Sequence, residues 1–375
     1  MRDTLKDANF PRTADLRVYH VGLRPGEVAN RIVTVGSASR ARTLAKFLDE
    51  SPKPFEFESE RGFLTITGRY KGTPVSIMSI GMGFPVMDMF VREARECVSG
   101  DMVIIRLGSC GCLIDAPVGT VVVPKSCVSV TRNVDFDFTD PDHCDEPPYR
   151  ISKARRDIDF GPPIQAHGDA ELLNQVKKSL EAIKPTDSEA PILTDVVNAS
   201  ADRWFLSRPL SFIPACSDRN TSFYSSQGRK TSFPDHNEGL IDKLLTIPDM
   251  ATFEMETHHL YHLAACWGAR DAKRKTAAPL TTSPVIPEDW KDSPSGQSGG
   301  TFKDPNVPLA ASDTVIKVAA AQMVFAARSS RDFISPDEVK KLEHWTGQGV
   351  LDALIETSVS SDRHHPDKGS VWEIS

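Results

Sequence analysis

Cysteine, positive charge and long apolar runs are all scarce in this chain. Its 375 residues include 7 cysteines, an odd number without metal-ligand spacing, so reduced thiols are expected rather than a disulfide framework or a zinc site. Cys110 and Cys112 flank Gly111, a spacing that reads as packing. Lysine and arginine total 44 against 51 acidic residues, a net charge of −7. With no basic stripe, nucleic acid is not the expected partner. No apolar run approaches the ~20 residues a membrane helix needs. Residues 1–12 lack the apolar stretch of a secretory signal, so a cytoplasmic location is expected. There is no P-loop motif, no G-x-G-x-x-G and no internal repeat, which leaves a dinucleotide site without its signature. His258 and His262 stand four apart on a helix, but without the glutamate of H-E-x-x-H they do not read as a metal site.

What is present is an alternation of strand and helix. Arg31 to Val35 reads as a strand ending at Gly36, followed by a helix from Ser39 to Leu48 with Leu44, Phe47 and Leu48 on one face. Phe63 to Thr67 and Val75 to Ile80 read as strands, and Pro85 is placed to start a helix carrying Val86, Phe90, Ala94 and Cys97 at helical spacing. Glu254 to Trp267 reads as a helix, Lys317 to Ala326 as a late strand and Pro336 to Ile355 as a closing helix. Such alternation implies a mostly parallel α/β sheet. Residues 269–312, rich in Pro, Ser, Lys and Gly, read as an insertion loop. Residues 140–163 read as a surface excursion. One domain over 15–357 is expected, with polar tails at 1–14 and 358–375.

The segment Met102 to Gly111 carries most information about chemistry. Four apolar residues precede Arg106, and Gly108 and Gly111 follow, which reads as a core strand breaking into a loop. A guanidinium in that place does not lose its charge and needs an anion, either a structural carboxylate or a ligand. Ser109 and the backbone around Gly108 and Gly111 favour a phosphate. In open α/β sheets, ligands bind where loops leave the carboxyl ends of strands. Three such loops are expected here: Gly36 to Arg40, Gly81 to Gly83, and Arg106 to Gly111. Two arginines among small residues suggest a compact phosphate. Asp135, Asp137 and Asp140, interleaved with Phe136 and Phe138, look like an exposed strand or loop rather than paired catalytic acids.

In order along the chain, the segments Tyr19–Leu23, Gly36–Arg40, Ser59–Phe63, Arg106–Gly111, Ser222–Arg229 and Phe253–Thr257 resemble those of the nucleoside phosphorylases of the uridine phosphorylase type. The resemblance covers about 19–356. It implies a three-layer α/β/α fold with a central mixed sheet. It implies a phosphate site of Gly36, Arg40, Arg106 and Ser109, with Arg61 lent across a subunit interface. Ribose would be held by His20 of a neighbouring subunit, Met255 and Glu256. The base would meet Cys110, Gly111, Phe223, Gln227 and Arg229, with Glu254 and Arg328 in support. The partners implied are a nucleoside and phosphate, in a homodimer or a hexamer of dimers. Phosphate is a co-substrate, and neither a cofactor nor a metal is expected.

The resemblance also orders the possible activities. A glutamine amide suits the carbonyl and N–H edge of uracil, and an arginine suits charge on a departing carbonyl oxygen. Purine-specific relatives use an aspartate after the last core strand, where this chain has Gln322 to Arg328 and no aspartate. Phosphorolysis of a pyrimidine nucleoside is therefore the expectation. A purine nucleoside phosphorylase, a nucleosidase using water and a non-catalytic nucleoside-binding relative stay open. Ser37 and Ser39 stand where the family usually has acidic residues, and Ser109 stands for its threonine.

Overall fold

The computed structural model describes residues 5, 8–152, 165–201, 223–269 and 313–374. In chain order the elements are β1 (Arg31–Val35), α1 (Ala38–Ala45), β2 (Phe55–Glu58), β3 (Leu64–Tyr70), β4 (Thr73–Ser79), α2 (Phe84–Arg95), β5 (Met102–Cys112), β6 (Val121–Val123) and β7 (Ser126–Arg132). Then come β8 (Tyr149–Ile151), β9 (Ala166–His167), α3 (Ala170–Ile183), β10 (Ile192–Thr194), β11 (Val197–Ala201) and α4 (Leu240–Leu245). The described chain closes with β12 (Met250–Glu254), α5 (Thr257–Gly268), β13 (Ile316–Ala327) and α6 (Pro336–Glu356).

One mixed sheet runs β2-β3-β4-β1-β5-β12-β11-β7-β8, and β13 lies along β5. Its centre is parallel, with β1 beside β4 and β5, and β13 beside β5. The edges are antiparallel hairpins, and β12 meets the end of β5 antiparallel. The parallel expectation thus holds for the centre and not for the edges. Strand alternation divides the layers. Val33, Val103, Ile105 and Leu107 pack with Leu44 of α1, Leu180 of α3 and Leu354 of α6. Ile32, Met102, Ile104 and Val318 pack on the other side with Phe90 of α2 and Leu260 of α5. The fold is a three-layer α/β/α sandwich. By the same period of two, Arg106 follows Met102 and Ile104 onto the α2/α5 side.

Three sequence readings are corrected. Strand β5 does not break at Gly108 but continues to Cys112, because β13 pairs with it along its whole length. Glu254 ends β12, and α5 begins only at Thr257. Residues 358–374 pack onto the body. Trp372 is 1% exposed, its carbonyl accepts from Arg69 Nε at 2.9 Å, and Asn30 Oδ1 accepts from His365 N at 2.7 Å. Gly100 makes this docking possible, since a Cβ there would lie 1.9 Å from the Arg363 carbonyl oxygen. Of the expected 269–312 insertion, residues 270–312 lie outside the described residues, as do 153–163 of the expected excursion.

Candidate functional site

A cavity of about 270 Å³ opens where β1, β5 and β12 end. Of the residues singled out from the sequence, Gly36, Arg40, Arg106, Ser109, Cys110, Gly111, Phe223, Gln227, Arg229, Glu254, Met255 and Glu256 line it. His20, Arg61 and Arg328 do not.

Arg106 sits mid-sheet, level with Thr34 of β1 and Ala320 of β13, and is 2% exposed. One of its nitrogens, Nη2, donates to Glu256 Oε2 at 3.0 Å. The other carboxylate oxygen accepts from Gly83 N at 2.5 Å. Arg106 Nε and Nη1 are buried with no hydrogen-bond partner among the described residues. The sequence question, carboxylate or ligand, is answered with a carboxylate on one side and two donors left over. Gly36 stands beside the same guanidinium: a Cβ there would lie 3.6 Å from Arg106 Nη2. Arg40 Nε donates to Glu343 Oε1 of α6 at 2.7 Å, and its Nη1 reaches the Leu107 carbonyl at 3.5 Å. Burial pulls the Arg40 pKa below its usual value, while Glu343 opposes that. Burial also pushes the Glu256 pKa up, with Arg106 working against it and Glu254 adding to it.

Glu254 is a second buried carboxylate with a different task. It accepts from Glu256 N at 2.8 Å, Thr257 N at 3.0 Å, Thr257 Oγ1 at 3.0 Å and Asn198 Nδ2 at 2.7 Å, and from the Ser200 hydroxyl. It thereby satisfies two of the free N–H groups at the start of α5, while Ser200 Oγ accepts from His258 N at 2.9 Å. Asn198 and Gln322 continue the network through Thr252, so β11, β12, β13 and α5 are locked together beneath Glu256.

At the other end, residues 223–229 form a turn-rich loop. Gln227 is 2% exposed and its Oε1 accepts from Arg229 Nε at 3.4 Å. The Arg229 guanidinium lies 4.3 Å from the centre of the Phe223 ring. Asn237 Nδ2 donates to the carbonyls of Ser225 and Arg229, both at 3.0 Å, and the Tyr149 hydroxyl bonds Ser225 Oγ at 2.6 Å. Arg328 lies behind Gly111, with Nε 3.7 Å from where a Cβ on Gly111 would be, and Arg229 Nη2 4.0 Å from the same point. Arg328 Nε and Nη2 are buried and unpartnered among the described residues. Burial, then the charge of Arg229, pulls the Arg328 pKa down to about 10. Cys110 stays a neutral thiol, its pKa raised by burial.

His20 and Arg61 lie together elsewhere. His20 Nδ1 is 2.6 Å from Glu93 Oε1, and Arg61 sits over the Tyr19 ring at 5.0 Å. Sequence reasoning missed Phe325 and Phe333, which line the cavity, and Glu343, Tyr149 and Asn237, which hold its walls. Met82 also lines it, and only its place in the Gly81–Gly83 loop pointed there. His258 sits on α5 with its pKa held down to about 4 by burial. Among the described residues no group of His, Cys, Asp and Glu could hold a metal ion, and no helix is long and apolar enough to cross a membrane.

Residues 30–272 match the family model of the phosphorylase superfamily. A uridine phosphorylase of Thermococcus kodakarensis is 26% identical over 274 residues, 72% of this chain and 80% of that protein. A DeoD-type purine nucleoside phosphorylase of Oceanobacillus iheyensis is 35% identical, but over 94 residues, 25% of this chain and 39% of that protein. Among solved structures, one from work on two uridine phosphorylases of the oomycete Phytophthora capsici is 33% identical. It aligns over 95% of this chain and 100% of its own, with a TM-score of 0.70.

Proposed function

The chain belongs to the phosphorylase superfamily and is a pentosyltransferase, and we propose that its reaction is phosphorolysis of a pyrimidine nucleoside, with uridine and phosphate giving uracil and ribose 1-phosphate. The observation that carries this reading is Arg106, whose Nε and Nη1 are buried donors without an acceptor among the described residues, in a cavity that Gln227 and Arg229 also line. Two buried donors in a fixed fork suit two oxygens of a phosphate.

In this reading a phosphate oxygen bonds to C1′ of the ribose while the C1′–N bond breaks. The electron pair leaves with the base, which then takes a proton to become neutral uracil. The transition state has oxocarbenium character like that of glycoside hydrolysis. Arg106, Arg40 and Ser109 hold the phosphate beside the Gly36 backbone, with Arg61 of a neighbouring copy. Glu256 accepts from ribose hydroxyls, Met255 packs on the sugar, and His20 of the neighbour completes the ribose site. Gln227 reads the uracil edge, Phe223 stacks, Cys110 and Gly111 form a wall, and Arg229, backed by Arg328, meets the charge growing on the base. No covalent nucleophile or cofactor is required, because positioning and fixed charge supply the acceleration. A homodimer or hexamer of dimers is part of the proposal.

The DeoD-type purine phosphorylase of Oceanobacillus iheyensis matches only 25% of this chain, and two adjacent guanidiniums at the base end favour the carbonyl-rich pyrimidine over a purine ring awaiting a proton. The test is base release from uridine, thymidine, inosine and adenosine, each with and without phosphate. Phosphate-dependent release from uridine is expected. Release from inosine but not uridine would overturn the pyrimidine assignment, and release indifferent to phosphate would overturn phosphorolysis.

A further inference from the structure

Glu93 on α2 is 6% exposed, and its partners lie outside the cavity. The carboxylate accepts from His20 N at 2.9 Å, Val21 N at 2.8 Å and His20 Nδ1 at 2.6 Å. Among the described residues no lysine or arginine forms an ion pair with it, and the one side chain that reaches it is His20. A carboxylate is costly to bury without a cation unless hydrogen bonds offset the lost water. Here those bonds all come from one short stretch of chain near the surface, residues 20 and 21. Because a carboxylate only accepts, the bond to Nδ1 requires a proton there, which leaves Nε2 as the nitrogen available to a ligand. The neighbouring groups are also assembled in advance. The Tyr19 ring stands edge-on to His20 at 4.7 Å, and Arg61 covers Tyr19 and donates to its hydroxyl.

We propose that Glu93 is a positioning residue for the reaction. It holds residues 20 and 21 and fixes His20 as the Nδ1–H tautomer, so that Nε2 accepts a hydrogen bond from a ribose hydroxyl in a neighbouring copy's site. This rests on the reading above in which His20 serves a neighbour's ribose. Second partners of this kind set the orientation of an imidazole at metal sites, and the same logic applies to one facing a sugar.

The test measures kcat and KM for uridine, 2′-deoxyuridine and 5′-deoxyuridine at saturating phosphate, in the full chain, for wild type, Glu93→Gln, His20→Ala and the double variant. Glutamine offers one acceptor oxygen where three donors converge. E93Q should raise KM for uridine about tenfold, on the scale of one lost hydrogen bond to a charged group. It should add less than twofold to H20A, and spare the analogue that lacks the contacted hydroxyl. An equal penalty with and without H20A, or an equal penalty on all three nucleosides, would overturn the role of Glu93 alone. A wild type that turns over none of them would overturn the parent reading, and this role with it. Should E93Q fail to fold, nitrogen NMR of the wild-type imidazole, assigned against H20A, decides the matter: an Nδ1–H ring is expected, and an Nε2–H ring contradicts the proposal.

Discussion

At the end of the cavity where we propose that phosphate binds, each arginine faces a carboxylate, Arg106 with Glu256 and Arg40 with Glu343. At the end proposed for the base, Arg229 and Arg328 lie side by side, and among the described residues neither forms an ion pair. The supports differ as well. Arg106 stands within β5 and Glu256 just after β12, over the Glu254 network, whereas Gln227 and Arg229 ride on a loop braced by Tyr149 and Asn237. The contrast suggests a division of labour. Charges that hold a ligand present throughout the reaction are balanced when the site is empty. Charges that meet a group becoming negative only in the transition state are left unbalanced, where they act most strongly.

The sharpest way to break this comparison is to remove one arginine from each end. Arg106→Met should lower kcat/KM for uridine by about a thousandfold, on the scale of losing a preorganised charge contact. It should also destabilise the fold by about 3 kcal/mol, because Glu256 is left buried without its cation. Steady-state kinetics with varied phosphate and urea unfolding read the two effects.

Acid should strike the packed, balanced regions. His258 on α5 and His365 in the C-terminal segment are both held down to about 4 by burial, from 6.5. A lowered pKa means that the unfolded chain binds the proton first. Stability is therefore full above pH 6.5 and falls progressively towards pH 4, each group contributing on the order of 3 kcal/mol. Thermal melts across that window should show the loss, and His258→Phe should remove roughly half of its slope.

Arg328→Met should reverse the stability sign seen at Arg106. Removing a half-buried guanidinium whose Nε and Nη2 have no partner among the described residues, beside Arg229, should raise stability by about 1 kcal/mol, while kcat falls about tenfold. If R328M and R106M both destabilise, the contrast between the two ends is lost. Smallest of all, Cys110→Ser should change kcat/KM by less than about threefold. The thiol there is neutral, so only a modest change of volume and polarity results.

That Gly36, Arg40 and Arg106 come together at one cavity was legible in the sequence because its signals are local. An arginine closing an apolar run, and glycines after two strands, mark Gly36, Arg40 and Arg106 without any long-range knowledge. The base end was legible only through resemblance, since Gln227 and Arg229 taken alone resemble any polar surface turn. Other parts left no local mark. Glu343 reaches Arg40 from 303 positions away, and Tyr149 reaches Ser225 from 76. The C-terminal segment looked like a polar tail because its apolar cluster, Val371, Trp372 and Ile374, is short and follows a long polar run. β5 was cut short at Gly108 because glycine normally punctuates a strand, but pairing with β13 overrides that local preference.

The central claim is that phosphate, not water, receives the ribose. Phosphorus NMR of uridine with inorganic phosphate and the protein tests it most directly. One sugar phosphate should appear for each uracil released, as inorganic phosphate declines in step. Uracil accompanied by free ribose, with the phosphate signal unchanged, would contradict it.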